Sequence, residues 1–217
     1  MHSSESRALK VLWGVETTPV RGPKARFSPE EVAASAVELA DEIGLDAVSL
    51  ARVAARLGMT TTALYRYVDA KATLVELMVD AAIGDPPGIA GRDWRARARK
   101  WVRLLADRYA AHPWLTDVKA TGMPRQPRPY AWIDALVSGI PPTSGVDALR
   151  LALLLDSLIR SYATLERSVT AADPEPWLAA AVAERFPALA AAPQQDVSDA
   201  RAELDYAVDA VLRGVAS

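Results

Sequence analysis

Thr60, Thr61, Thr62, Tyr65, Arg66 and Tyr67 lie in one short run, interrupted by the apolar Leu64 with Val68 just beyond. A helix from Thr60 to about Val68 would turn Leu64 and Val68 inward and leave the hydroxyls and the guanidinium outside. Hydroxyls and a guanidinium on one exposed surface can hold phosphates and read base edges in a DNA major groove. The same pattern also fits a polar helix that is merely solvated. Other chemistry is poorly supplied. The 217 residues include no Cys and only two His, His2 and His112, so thiolate or His-rich metal sites and a His-based triad lack material. No phosphate-cradling Gly pattern is present, and no carboxylate pair can be placed together. No metal, cofactor or catalytic residue is therefore expected, and a helical enzyme is a weak rival.

Positioning that surface is the work of helices. The 15 prolines leave long proline-free stretches over 30–85, 88–112, 143–173 and 194–217, each with apolar residues at helical spacing. No strand signal interrupts them, so the fold class is all-α. Ser28-Pro29-Glu30-Glu31 opens a helix with an N-cap hydroxyl, Pro at its first position and acids in its first turn. That helix carries Val32, Ala36, Leu39, Ala40 and Ile43 on one face and stops at Gly44. Ser49 caps a second helix burying Leu50, Val53, Ala54 and Leu57. Gly58 turns the chain into the third, and Asp69 is placed to cap a fourth with Leu74, Leu77, Met78 and Ala81 inward. Three short helices with a Gly turn between the second and third form a helix-turn-helix head. The breaker cluster Asp85-Pro86-Pro87-Gly88-Ile89-Ala90-Gly91 then marks a boundary. The expected layout is a basic arm over 1–27, a DNA-binding head over 28–84, and a larger helical domain over 92–217.

The run Leu57-Gly58-Met59-Thr60-Thr61-Thr62-Ala63-Leu64-Tyr65-Arg66-Tyr67-Val68-Asp69-Ala70-Lys71, preceded by Val53-Ala54, resembles the signature of the tetracycline-repressor (TetR) family. The resemblance covers about residues 28–83, with a weaker likeness from Trp94 to about Arg167 around His112-Pro113-Trp114-Leu115. It implies that Tyr65, Lys71, Tyr67 and the Ser49 hydroxyl hold phosphates. It also implies that Thr61 and Thr62 contact bases and that Arg66 reaches a guanine edge. Arg21 and Lys24 of the arm would add phosphate contacts. One position departs from the tetracycline repressors themselves. Their second-helix Arg that contacts a base is matched here by Ala51, so their operator does not transfer.

The second domain is expected to house a small-molecule effector and to dimerise. Trp101, Leu105 and Tyr109, with Met123 and Trp132 near them, could line an apolar pocket, with His112, Asp156 and Arg160 as polar candidates. An aromatic stripe at helical spacing is equally a core, and Asp156 with Arg160 equally an i,i+4 pair. The resemblance implies a four-helix bundle between two copies. Leu151, Leu154 and Leu158, with Leu204, Val208, Val211 and Leu212, are the candidate contacts, unless both helices simply face a monomer's core.

The formal net charge of −2 looks unsuited to nucleic acid, but it is an average. Residues 1–26 carry +3, residues 28–46 carry −6 with no cation, and residues 49–71 carry +3. No apolar run is long enough for a bilayer and the start lacks a secretory leader, so a cytoplasmic protein without membrane contact is expected. The expected function is a ligand-responsive regulator, more specifically a repressor, binding a palindromic operator in double-stranded DNA as a homodimer. Its effector is unknown, and the helix over 71–83 would carry the response. A protein that keeps the fold and binds small molecules with little DNA affinity is the alternative.

Overall fold

The computed structural model describes residues 7–15, 26–119, 122–168, 175–192 and 199–215. Among these residues every regular element is helical, as the proline and periodicity pattern predicts. The chain opens with α1 (Arg7–Leu12), followed by the head helices α2 (Pro29–Ile43), α3 (Leu50–Arg56) and α4 (Thr61–Leu64), then α5 (Lys71–Ile83). The body contains α6 (Trp94–Ala111), α7 (Pro127–Val137), α8 (Ala148–Ser168), α9 (Pro176–Arg185), α10 (Pro187–Ala190) and α11 (Ala200–Gly214).

Local sequence explains the head. The Ser28 hydroxyl accepts from the Glu31 amide and the Glu31 carboxylate accepts from the Ser28 amide, a reciprocal capping box that fixes where α2 starts. Ser49 Oγ accepts from Arg52 N at 3.3 Å at the start of α3. Gly58 sits at φ +63°, a left-handed conformation that side chains resist, and turns α3 into α4. The fourth helix is capped differently from expectation. Its N-cap is Ala70, and the Asp69 carboxylate instead accepts the Thr73 hydroxyl. The third helix is also shorter than expected, with regular α geometry ending at Leu64 and turns over 65–67.

α5 is buried nearly all round: Thr73, Leu74, Leu77, Met78, Val79, Asp80, Ala82 and Ile83 are all inside. It packs on α2 in the head and on α6 and α7 in the body, so both halves share one continuous apolar core. A second link joins them. The Asp41 carboxylate of α2 accepts from Trp114 Nε1 at 2.7 Å and hydrogen-bonds His112 Nδ1 at 3.0 Å.

α8 and α11 pack on each other and on α6. Arg99–Asp209 at 2.6 Å, Arg103–Asp205 at 3.2 Å and Arg201–Asp107 at 2.7 Å lace α6 to α11 along the rim. This packing corrects the expected face for a second copy. Leu151, Leu204, Val208 and Leu212 are buried in the chain's own core, whereas Leu158 and Val211 are half-buried and Leu154 is exposed.

The arm is also not wholly an arm. Leu9 of α1 is buried and the helix lies against α5. Trp13 Nε1 donates to the Arg125 carbonyl at 2.8 Å, and the Trp13 ring lies 5.7 Å from that of Tyr130.

Candidate functional site

The Thr60 hydroxyl caps α4 by accepting from Ala63 N at 3.2 Å, and Leu64 and Val68 anchor the turn in the head core. That anchoring leaves Thr62, Tyr65 and Arg66 exposed and Thr61 half-buried; Tyr65 is 55% exposed. Thr62, Tyr65 and Arg66 have no side-chain hydrogen bond or ion pair among the described residues. Tyr67 differs. It is half-buried, and its hydroxyl accepts from Phe27 N at 3.4 Å, tying the start of the head to its end. The Lys71 ammonium donates to the Asp46 carbonyl at 3.4 Å from an exposed position. Ser49 serves its own helix as N-cap. Arg21 and Lys24 lie outside the described residues.

The electrostatics of the head follow from its pairing. Arg56 of α3 donates to Glu42 at 2.7 and 2.8 Å and to Glu38 at 3.1 Å. These bonds hold the Glu42 carboxyl below its usual range. Part of the acidic load of α2 is thus paired by Arg56 of α3. Arg52, next to Ala51, donates Nη1 to the Ala47 carbonyl at 2.8 Å and so turns back onto its own helix start.

The body holds a cavity of about 230 Å³. α6 contributes Trp101, Leu105 and Tyr109; α7 contributes Trp132 and Ile133; α8 contributes Leu153, Asp156 and Arg160. The segment before α7 adds Met123, Arg125 and Gln126, and α5 adds Glu76, Val79 and Ile83. The structure thus brings together Trp101, Leu105, Tyr109, Met123, Trp132, Asp156 and Arg160 from the sequence-based set. His112 is a correction. It ends α6 on the side facing the head, where Asp41 holds it, and it does not line the cavity.

Glu76, Arg125 and Gln126 escape the sequence reading. Arg125 Nη1 donates to Glu76 at 2.8 Å, and burial raises the Glu76 carboxyl above its usual range while Arg125 opposes the rise. Deeper in α5, Asp80 accepts from Arg128 N at 2.9 Å and from Arg128 Nη1 at 3.0 Å, again with burial raising the carboxyl. The available signal was α5 itself, whose apolar positions run beyond one face and so call for two partners.

Residues 33–78 match the family described as bacterial regulatory proteins, tetR family. The HTH-type transcriptional repressor DrrR1 of Streptomyces coeruleorubidus is 39% identical over 116 residues, covering 52% of this chain and 43% of that protein. An HTH-type transcriptional regulator of Saccharopolyspora erythraea is 30% identical over 115 residues, covering 52% of this chain and 46% of that one. The chain spans less than half the length of either relative. Among solved structures, apo ActR from Streptomyces coelicolor superposes with a TM-score of 0.71 at 23% identity, over 89% of this chain and 98% of that one. ActR in complex with actinorhodin gives 0.70 at 20% identity, over 88% and 96%. At this identity the likeness shows the shared fold, a helix-turn-helix head on a helical body. The head thus carries, over residues 33–78, a match to the tetR family of bacterial regulatory proteins.

Proposed function

We propose that the chain is a ligand-responsive transcriptional repressor that binds a palindromic operator as a homodimer and releases it when a small molecule fills the body cavity. The observation that carries this reading is the double role of α5. It supplies Leu74, Leu77 and Met78 to the core it shares with α2, and Glu76, Val79 and Ile83 to the cavity wall. A ligand that prefers one position of α5 therefore shifts the head by as much as its affinity differs between the two positions. The match to a curated repressor and the fold shared with an actinorhodin-bound regulator support the same reading. On DNA, Tyr65, Lys71, Tyr67 and Ser49 contact phosphates, Thr61, Thr62 and Arg66 face the bases, and Arg21 and Lys24 extend the contact. One short turn covers few base pairs, so affinity requires two heads on two half-sites.

The test begins with selection of bound duplexes from genomic fragments, followed by titration of binding at increasing salt. Affinity should fall steeply with salt as several phosphates are neutralised. Tyr65→Ala combined with Lys71→Ala should weaken binding on every sequence by about tenfold or more and flatten the salt slope. An unchanged slope in the double variant would remove the assignment of these residues.

A further inference from the structure

Three polar contacts join α5 to α7 in register. Glu76, Asp80 and the C-cap Gly84 follow one another at one-turn spacing along α5, which places them on one edge. Their partners Arg125, Arg128 and Trp132 follow in the same order into and along α7. Arg125 Nη1 donates to the Glu76 carboxylate at 2.8 Å. Arg128 donates to Asp80 twice, from its backbone N at 2.9 Å and from Nη1 at 3.0 Å. Trp132 Nε1 donates to the Gly84 carbonyl at 2.9 Å, and Trp101 of α6 steadies Trp132 by donating to its carbonyl at 2.7 Å. The middle contact also decides where α7 begins. Pro127 and Pro129 have no N–H and Gln126 makes no side-chain cap, so Arg128 N is the one backbone donor in the first three positions of α7. Its acceptor is the carboxylate of another helix, and Asp80 is 1% exposed.

The two ion pairs add little to stability. Burial raises both carboxyls above the usual range although Arg125 and Arg128 pull them down, so pairing does not fully offset the cost of burying the charge. What the row supplies is direction. The apolar contacts of Leu74, Leu77 and Met78 are non-directional and tolerate a slide or roll of α5, whereas hydrogen bonds one turn apart fix both. Glu76, Arg125 and Trp132 also line the cavity, while Asp80 and Arg128 do not. We infer that Glu76–Arg125, Asp80–Arg128 and Gly84–Trp132 are positioning contacts that set where α5, and with it the head, stands against the body. The inference deepens the ligand-responsive reading and rests on it: a ligand in the cavity touches the two ends of the row and moves α5 by opening it from there.

The chain has no Cys, so spin labels attach only where a Cys is introduced. Ala55→Cys on α3 and Ala202→Cys on α11, both exposed, report on head and body. The labelled full chain is diluted into unlabelled chain, and the distance between labels within one molecule is read by pulsed electron resonance. The parent should give one narrow distribution. Asp80→Leu with Arg128→Met removes both charges together, so neither is left buried and unpaired, and leaves the cavity wall untouched. Its distribution should be about twofold broader or more while its urea midpoint stays close to the parent's, a combination that lost packing does not produce. Trp132→Phe should broaden it likewise, and still decides if the double variant fails to fold. Arg99→Met with Asp209→Leu, which removes a pair between α6 and α11, should leave it unchanged. Affinity for the duplex selected from genomic fragments should fall several-fold in the broadened variants, because only heads at the right span bind. A parent-like distribution in the α5–α7 variants, or equal broadening from the α6–α11 pair, would overturn the inference and leave the ligand-responsive reading standing. A broadened head that binds the duplex as tightly as the parent would overturn that reading instead.

Discussion

Glu76 shows how one side chain reports on the site around it. Its carboxyl lies in the cavity wall, where burial favours the protonated form more than Arg125 opposes it. The folded state thus holds this proton more tightly than the unfolded chain does. Any stability tied to the proton is present at low pH and is lost as pH rises from the ordinary carboxylate value through the raised one. Glu76→Gln removes that loss. In urea unfolding, the variant should gain on the parent as pH rises above the ordinary carboxylate value, and identical pH profiles would contradict the raised carboxyl. Glu76 was not legible in the sequence, because an acid inside an apolar helix reads as surface until the helix is known to have two partners. Gln126 was hidden for a different reason: it precedes α7 in a segment with no periodicity to assign it a side. Tyr109 and Arg160 were legible as cavity-lining residues because helical spacing places them on the faces of α6 and α8 that border it.

At the level of elements, the head was legible because each of its boundaries is written in local chemistry. The Ser28 box, the Ser49 cap and the turns at Gly44 and Gly58 all act within a few residues. Gly58→Ala tests this directly. A Cβ there meets no atom within 4 Å, so any loss comes from the left-handed backbone alone. A destabilisation of about 1–2 kcal/mol is expected from the denaturation midpoint. A fully neutral result would show that the turn relaxes. Other elements escaped because the same signals were read in only one sense. The proline-free stretches stop at 173 and resume at 194, yet Pro176 and Pro187 open α9 and α10 between them, where a missing N–H costs nothing. α1 was assigned to the arm, because a single turn and a half with one buried Leu carries too little pattern to distinguish. Beside its docking on α5, Trp13 reaches the Arg125 carbonyl, a contact 112 residues away in sequence.

For the whole molecule, the proposed dimer must use surface that remains after α8, α11 and α6 have packed together. Leu154 meets that condition, being exposed on α8 beside the half-buried Leu158. Leu154→Glu should leave monomer stability within about 0.5 kcal/mol, as surface changes generally do. In sedimentation it should shift the chain toward monomer, and operator affinity should fall with it. A variant that still sediments as a dimer would place the interface elsewhere. Net charge hides this level because it averages segments: the acids of 28–46 and the cations of 49–71 already separate along the sequence, and in space Arg56 offsets part of the α2 load.

The Asp41 link has a mechanical consequence. Head and body are joined through α5 and, at a second place, through the Asp41 carboxylate gripping His112 and Trp114. With the shared α5 core as one hold and Asp41 as another, the head has fewer ways to move against the body than α5 alone would leave it. In the proposed dimer, a ligand pressing on α5 would then change the span between two heads along a narrower set of paths. Cutting the Asp41 anchorage would leave the head held through the α5 core, with the push less closely aimed.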